Sequence, residues 1–79
     1  MNRYEWKEAL IVAKERLDDG QLLEDNAGEE WDIYNLMDQE DGIENAVIDS
    51  DHYYVVGFDG SIGYTCDNGY NVSWLYKVV

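Results

Sequence analysis

The stretch that decides the fold is residues 53–79, YYVVGFDGSIGYTCDNGYNVSWLYKVV. It is dense in β-branched and aromatic residues and is broken twice by glycine-containing turn signals, the composition of paired strands. Asp59-Gly60 is a two-residue type I′ hairpin signal. Asp67-Asn68-Gly69 reads as a three-residue loop with glycine in the left-handed position. Strands are therefore expected over 53–58, 61–66 and 70–79. The first turn pairs Val55 with Tyr64 and Gly57 with Ile62. The second pairs Cys66 with Tyr70, Tyr64 with Val72 and Ile62 with Trp74. Strand alternation then puts Tyr53, Val55, Ile62, Tyr64, Cys66, Tyr70, Val72, Trp74, Tyr76 and Val78 on the core face. The other face carries Tyr54, Val56 and Phe58, an apolar patch that suggests a homodimer contact if nothing covers it.

Upstream, Asn2 followed by Glu5 has the spacing of a capping box. Trp6, Leu10, Ala13 and Leu17 recur on one helical face, and Gly20 supplies a stop. A first helix is expected over about residues 3–18, with Lys14 and Arg16 near its C-terminal end, where the macrodipole favours cations. Asn26 and Glu29 repeat the capping spacing, and Ile33, Leu36 and Met37 precede Gly42. A second helix is expected over about 29–40, with Glu29, Glu30 and Asp32 in its first turn. Asp38, Glu40 and Asp41 would crowd its C-terminal end against the dipole. Ala46-Val47-Ile48 is a candidate short strand. The expected architecture is α+β: two N-terminal helices on one face of a three-stranded antiparallel meander, four-stranded if residues 46–48 join it.

Seventy-nine residues make one domain, 1–79. A chain of this size buries only about 60% of its unfolded surface, so eleven aromatic side chains matter to its stability. No run of eighteen apolar residues suggests a transmembrane helix, and the charged start of the chain does not resemble a signal peptide. A single cysteine, Cys66, excludes an internal disulfide and suits a reducing cytoplasm.

The formal net charge is −13, and it is unevenly placed. Residues 1–17 sum to +1 and residues 52–79 to −1. Residues 18–51 hold thirteen acids and no lysine or arginine. Direct binding of nucleic acid or of an anionic membrane by phosphate neutralisation is disfavoured. The acids are interleaved with Leu22, Leu23, Trp31, Ile33, Tyr34, Leu36 and Met37, which can anchor the segment to a core and leave carboxylates outside. A solvated, solubilising surface is the plainer explanation, but solubility does not require every base to be excluded from 34 residues. Concentrated like charge opposes folding, and a basic partner would neutralise it. The expected partner-binding set is Asp18, Asp19, Glu24, Asp25, Glu29, Glu30, Trp31, Asp32, Tyr34, Asp38, Glu40, Asp41 and Glu44. Trp31 and Tyr34, at i and i+3 among the acids, suit aromatic anchors, with core packing as the competing role.

No catalytic motif stands out, and no enzyme is expected. His52 beside Asp51 is one general-base candidate, but a histidine opening a strand is the simpler reading. The expected register points His52 away from Cys66, which reads as a small core residue. Asp38-Gln39-Glu40-Asp41-Gly42 places glycine one position too early for a calcium loop. Gly57, Gly60 and Gly63 precede no helix, as a phosphate cradle would require. No cofactor or metal is expected.

In its short length and its acidic stretch from Asp18 to Asp51, the chain resembles the small, very acidic DNA-mimicking anti-restriction and anti-CRISPR inhibitors of bacteriophages and mobile elements. That group shares composition but no fold or motif, so no residue's role carries over. The resemblance implies an inhibitor that covers a basic nucleic-acid-binding surface of a partner protein or nuclease complex. The alternative is an immunity, antitoxin or adaptor module that binds a basic protein without imitating nucleic acid.

Overall fold

The computed structural model describes residues 3–38, 53–65 and 70–79. Its elements are α1 (Trp6–Arg16), β1 (Leu23–Glu24), β2 (Glu30–Trp31), α2 (Ile33–Met37), β3 (Tyr53–Val56), β4 (Ile62–Thr65) and β5 (Ser73–Val78). The five strands form one antiparallel sheet in the order β2-β1-β5-β4-β3. The α+β class agrees with the sequence, but the sheet is larger than a three-stranded meander. The extra strands come from residues 23–31, half of which had the pattern of a helix start. Residues 46–48, Cys66, His52 and the Asp67–Gly69 loop lie outside the described residues.

Helix α1 is shorter than its apolar periodicity suggested. Glu5 is the N-cap, forming a capping box with Glu8, whose carboxylate accepts the Glu5 amide at 3.4 Å. Residues before it are extended, and Tyr4 pairs with Tyr54 through both backbone groups, at 3.1 and 3.0 Å. The sequence placed the cap at Asn2, which lies outside the described residues. The same S/T/D/N-x-x-E spacing had a better-placed copy three residues later, with glutamate standing in as the cap. Trp6, Ala9, Leu10 and Ala13 are buried as the helical stripe requires.

Both hairpins use the same device. In the first, Asp25 and Glu29 pair through the Asp25 amide and Glu29 carbonyl at 2.9 Å, and Gly28 donates to the Asp25 carbonyl at 3.1 Å. In the second, Gly57 donates to Ser61 at 2.8 Å, and Gly60 donates to Gly57 at 3.1 Å. Each encloses a three-residue loop that ends in a glycine at positive φ, +83° for Gly28 and +101° for Gly60. This is a type I turn closed by a left-handed residue.

The expected two-residue Asp59-Gly60 turn is therefore one residue too short, and the β3–β4 register slips by one. Val56 pairs with Ile62 and Val55 with Gly63. A slip of one inverts a strand's faces. Tyr54 and Val56 join the core beneath α1, at 4% and 6% exposure, while Tyr53 and Val55 face the other way. The expected homodimer patch loses two of its three members by this inversion, and only Phe58 stays outside, 98% exposed.

A second irregularity lies between β4 and β5. Tyr64 pairs with Ser73 and Gly63 with Trp74, but Ile62 pairs with Tyr76, so Leu75 is the extra residue of a bulge. Tyr76 and Val78 keep the expected core face, whereas Trp74 lies on the opposite one. There its ring covers two glycines. A Cβ on Gly57 would sit 3.4 Å from the indole, and one on Gly63 would sit 3.0 Å from it. Tyr70, also expected in the core, is exposed.

The core holds a row of rings that crosses the sheet from β3 toward β2. Trp6 lies 5.1 Å from Tyr54 and 6.2 Å from Tyr76, and Trp31 meets Tyr76 edge-on at 6.4 Å. Leu23, Ile33 and Leu36 complete it from β1 and α2.

Candidate functional site

The described part of the acidic segment, residues 18–38, holds eight carboxylates and no lysine or arginine. It runs from the exit of α1, where Leu17 lies against Gly60 of the β3–β4 turn, through the β1–β2 hairpin at the β2 edge of the sheet and into α2. Of the five cations, Lys14 and Lys77 lie beside the acids, and two others are held at the far edge of the sheet. Arg3 lies over the Tyr53 ring at 4.6 Å, and Arg16 donates to the Val56 carbonyl at 2.9 Å and the Gly57 carbonyl at 3.3 Å. Both are thus held at β3, the opposite edge. At about 4.8 Å per strand, the outer strands are roughly 19 Å apart. That exceeds the screening length of about 8 Å at physiological salt, so those two cations do little to neutralise the acidic edge.

Three local constructions hold the acids in place. Leaving α1, the chain turns at Gly20 (φ +77°), with the Asp18 amide donating to the Gln21 side chain at 2.9 Å. Asp18, Asp19 and Asp32 then line a depression of about 140 Å³ together with Lys14 and Tyr34. Tyr34 is 58% exposed, and the Lys14 ammonium stands 5.0 Å from its ring. This is a cation–π contact made within the chain.

The second construction is the β1–β2 hairpin. Glu24 pairs with Glu30 on one side and with Lys77 of β5 on the other. A like-charged pair directly across two strands is unfavourable, and Lys77 offsets part of that. Glu29 and Glu30 are exposed.

In the third, Asp25 organises the turn. Its carboxylate accepts the amides of Ala27 at 2.8 Å and Glu29 at 2.9 Å, and the Trp31 indole N–H at 2.9 Å. The Trp31 bond, then the Glu29 amide, holds the Asp25 carboxyl below its ordinary range, because each stabilises the charged form. Burial, with a smaller contribution from Asp25, pushes the Tyr76 hydroxyl up.

The expected partner-binding residues therefore divide. Asp18, Asp19, Glu24, Glu29, Glu30, Tyr34 and Asp38 are exposed, with Glu24, Glu29 and Glu30 in the edge hairpin and Asp18 and Asp19 at the exit of α1. Asp25 is committed to the turn. Asp32 is the N-cap of α2, accepting the Tyr34 amide at 2.8 Å, and is not a residue of a longer helix's first turn. Trp31 packs on the core and on Asp25, so its anchor role gives way to core packing. Glu40, Asp41 and Glu44 lie outside the described residues. The sequence reading missed the pairing of Glu24 with Glu30. The signal for it was present in Asp25-Asn26-Ala27-Gly28, which has aspartate first and glycine fourth, the preferences of a type I turn.

Among the described residues, no cluster of three His, Cys, Asp or Glu side chains could hold a metal ion, and no helix is long and apolar enough to cross a membrane. Comparison of the chain with protein-family models, with curated proteins and with solved structures gave no match.

Proposed function

We propose that this chain is an inhibitor that covers the basic, nucleic-acid-binding surface of a partner protein with its acidic β2 edge. The observation that carries this reading is the run of eight carboxylates in residues 18–38, without lysine or arginine, whose exposed Glu24, Glu29 and Glu30 lie in the hairpin at the β2 edge while Arg3 and Arg16 are engaged at β3. Six of the eight carboxylates, Asp18, Asp19, Glu24, Glu29, Glu30 and Asp38, are exposed, and exposed carboxylates can release counterions from a basic groove as phosphates do. Such a surface suits a groove built for nucleic acid. The exposed Tyr34, already bearing an ammonium, favours a second reading in which the edge binds a basic protein without imitating nucleic acid.

The test begins with capture of a partner from host lysate at moderate salt, followed by competition with single-stranded DNA. Mutually exclusive binding is expected. Simultaneous binding of DNA and this chain to the captured protein would reject mimicry and leave the second reading. Glu29→Lys and Glu15→Lys change net charge equally, but Glu15 lies on α1. Glu29→Lys is expected to weaken binding about tenfold, as for loss of a well-placed interfacial charge, and Glu15→Lys much less. Equal effects would mean that only bulk charge counts.

A further inference from the structure

Phe58 is the most exposed large apolar side chain among the described residues, at 98%, and its own hairpin does not use it. The turn is fixed by other contacts. Gly60 donates to Gly57, Asp59 accepts the Ser61 amide at 2.9 Å, and Arg16 holds the Val56 and Gly57 carbonyls. A Cβ on Gly60 would fall 2.7 Å from Leu17, so the far side of the turn is pressed against the end of α1. Phe58 therefore projects from a rigid mount with nothing beneath it.

Beside that mount is a depression of about 330 Å³ lined by Asp59, Ser61, Trp74, Lys77 and Val78. Its apolar floor is the indole that covers Gly57 and Gly63. The volume is at the small end of pockets that take small molecules, ~300–1,000 Å³, and admits one benzyl group. We propose that the chain forms a weak symmetric dimer in which Phe58 of each copy enters the Trp74 depression of the other. The occupant is a second copy because Phe58 is the chain neighbour of Asp59, which lines the depression, so one contact region carries both knob and hole. A two-fold axis near Asp59 lets each serve the other, as a self-complementary interface requires. The charges agree: the lining carries one anion, Asp59, and one cation, Lys77, so each Asp59 can face the other copy's Lys77. Salt is needed to offset the −13 charge of each copy, which opposes self-association. The proposal does not depend on the reading of the acidic edge.

Sedimentation velocity on the whole chain, up to about 1 mM protein and in about 0.3 M salt to screen repulsion, should show a concentration-dependent dimer. Dilution followed by amide and indole NMR should move the signals of Trp74, Ser61 and Val78. Phe58→Ala removes two buried rings per dimer and should weaken association at least about 100-fold, with no change in thermal unfolding of the monomer. Phe58→Leu should fall between. A monomer at every concentration, unaltered association of Phe58→Ala, or concentration-dependent shifts confined to the β2 edge would each overturn the proposal. So would a monomer whose Phe58 is needed to hold a captured protein, since the occupant would then be that protein.

Discussion

Replacing Gly63 by alanine tests how closely β5 packs against β4 beside the bulge. Gly63 has no positive φ, so alanine meets no backbone penalty there. The obstacle is space. The added Cβ would lie 2.8 Å from Val72 Cγ1, 2.9 Å from the Ser73 carbonyl oxygen and 3.0 Å from Trp74 Cε3. Two of these neighbours are side chains that can shift, but the carbonyl belongs to the paired strand and moves only if β5 moves. Inserting one methyl into such a site costs typically about 1–3 kcal/mol, and involvement of the backbone puts this case near about 2–3 kcal/mol. For a domain of this size, 1 kcal/mol corresponds to about 4–8 °C in Tm, so a drop of about 10–20 °C is expected. Gly28→Ala is the control. Its Cβ would meet nothing within 4 Å, so only the left-handed φ opposes it, at about 1–2 kcal/mol. Thermal and urea unfolding followed by far-UV circular dichroism decide the matter. If Gly63→Ala melts within a few degrees of the parent while Gly28→Ala does not, the backbone of β5 does not confine Gly63, and the reasoning is wrong.

Other expectations are more local. Asp25→Asn should destabilise at neutral pH and alter the acid limb of unfolding. A lowered carboxyl pKa contributes stability that is present above the ordinary value of 3.8 and is lost as pH falls through the lowered one. The parent should thus lose stability across that acidic window more steeply than the asparagine variant, as an acid titration monitored by Trp fluorescence would show. Asp32→Ala removes the cap of a five-residue helix and should cost about 1 kcal/mol in urea unfolding, with Asp32→Ser retaining most of it. Arg16→Met takes a charged donor from the Val56 and Gly57 carbonyls and should lower stability by about 1–2 kcal/mol, with faster exchange of the Gly60 amide. Normal exchange there would mean that the turn does not rely on Arg16.

The parts of the fold that could be read from the sequence are those in which local pattern and tertiary environment agree. Trp6, Ala9, Leu10 and Ala13 form a buried stripe because a 3.6-residue period needs only one flat surface to pack on. The β3–β4 hairpin was visible in its aromatic and β-branched flanks. Its register was not, because Asp59-Gly60 serves either a two-residue turn or the last two positions of a three-residue loop. The choice is made by the contacts of Gly57 and Gly60 with Ser61 and Leu17. Residues 23–31 were misread for a related reason. Asn26 and Glu29 have the spacing of a helix cap, yet the preceding Asp25 takes the amides of Ala27 and Glu29 and bends the chain back. A two-residue strand such as β1 has no periodicity of its own and becomes a strand only on pairing with Val78 and Lys77, over fifty positions away. The acidic segment itself was plain from composition. Which of its members were committed to turns and caps depended on geometry that composition does not carry.

The order in which the chain is synthesised bears on one of these contacts. Tyr4 is bonded to Tyr54 across about 50 residues, and β1 has no inner neighbour until Val78 has been made. On a ribosome, α1 emerges with Trp6 uncovered, since its ring partners Tyr54 and Tyr76 are translated after it. A helix of eleven residues is marginal by itself in water, so its packing waits for β3 and β5. Chains stalled before β5 are expected to present an unpaired hairpin and an open aromatic face to chaperones and proteases.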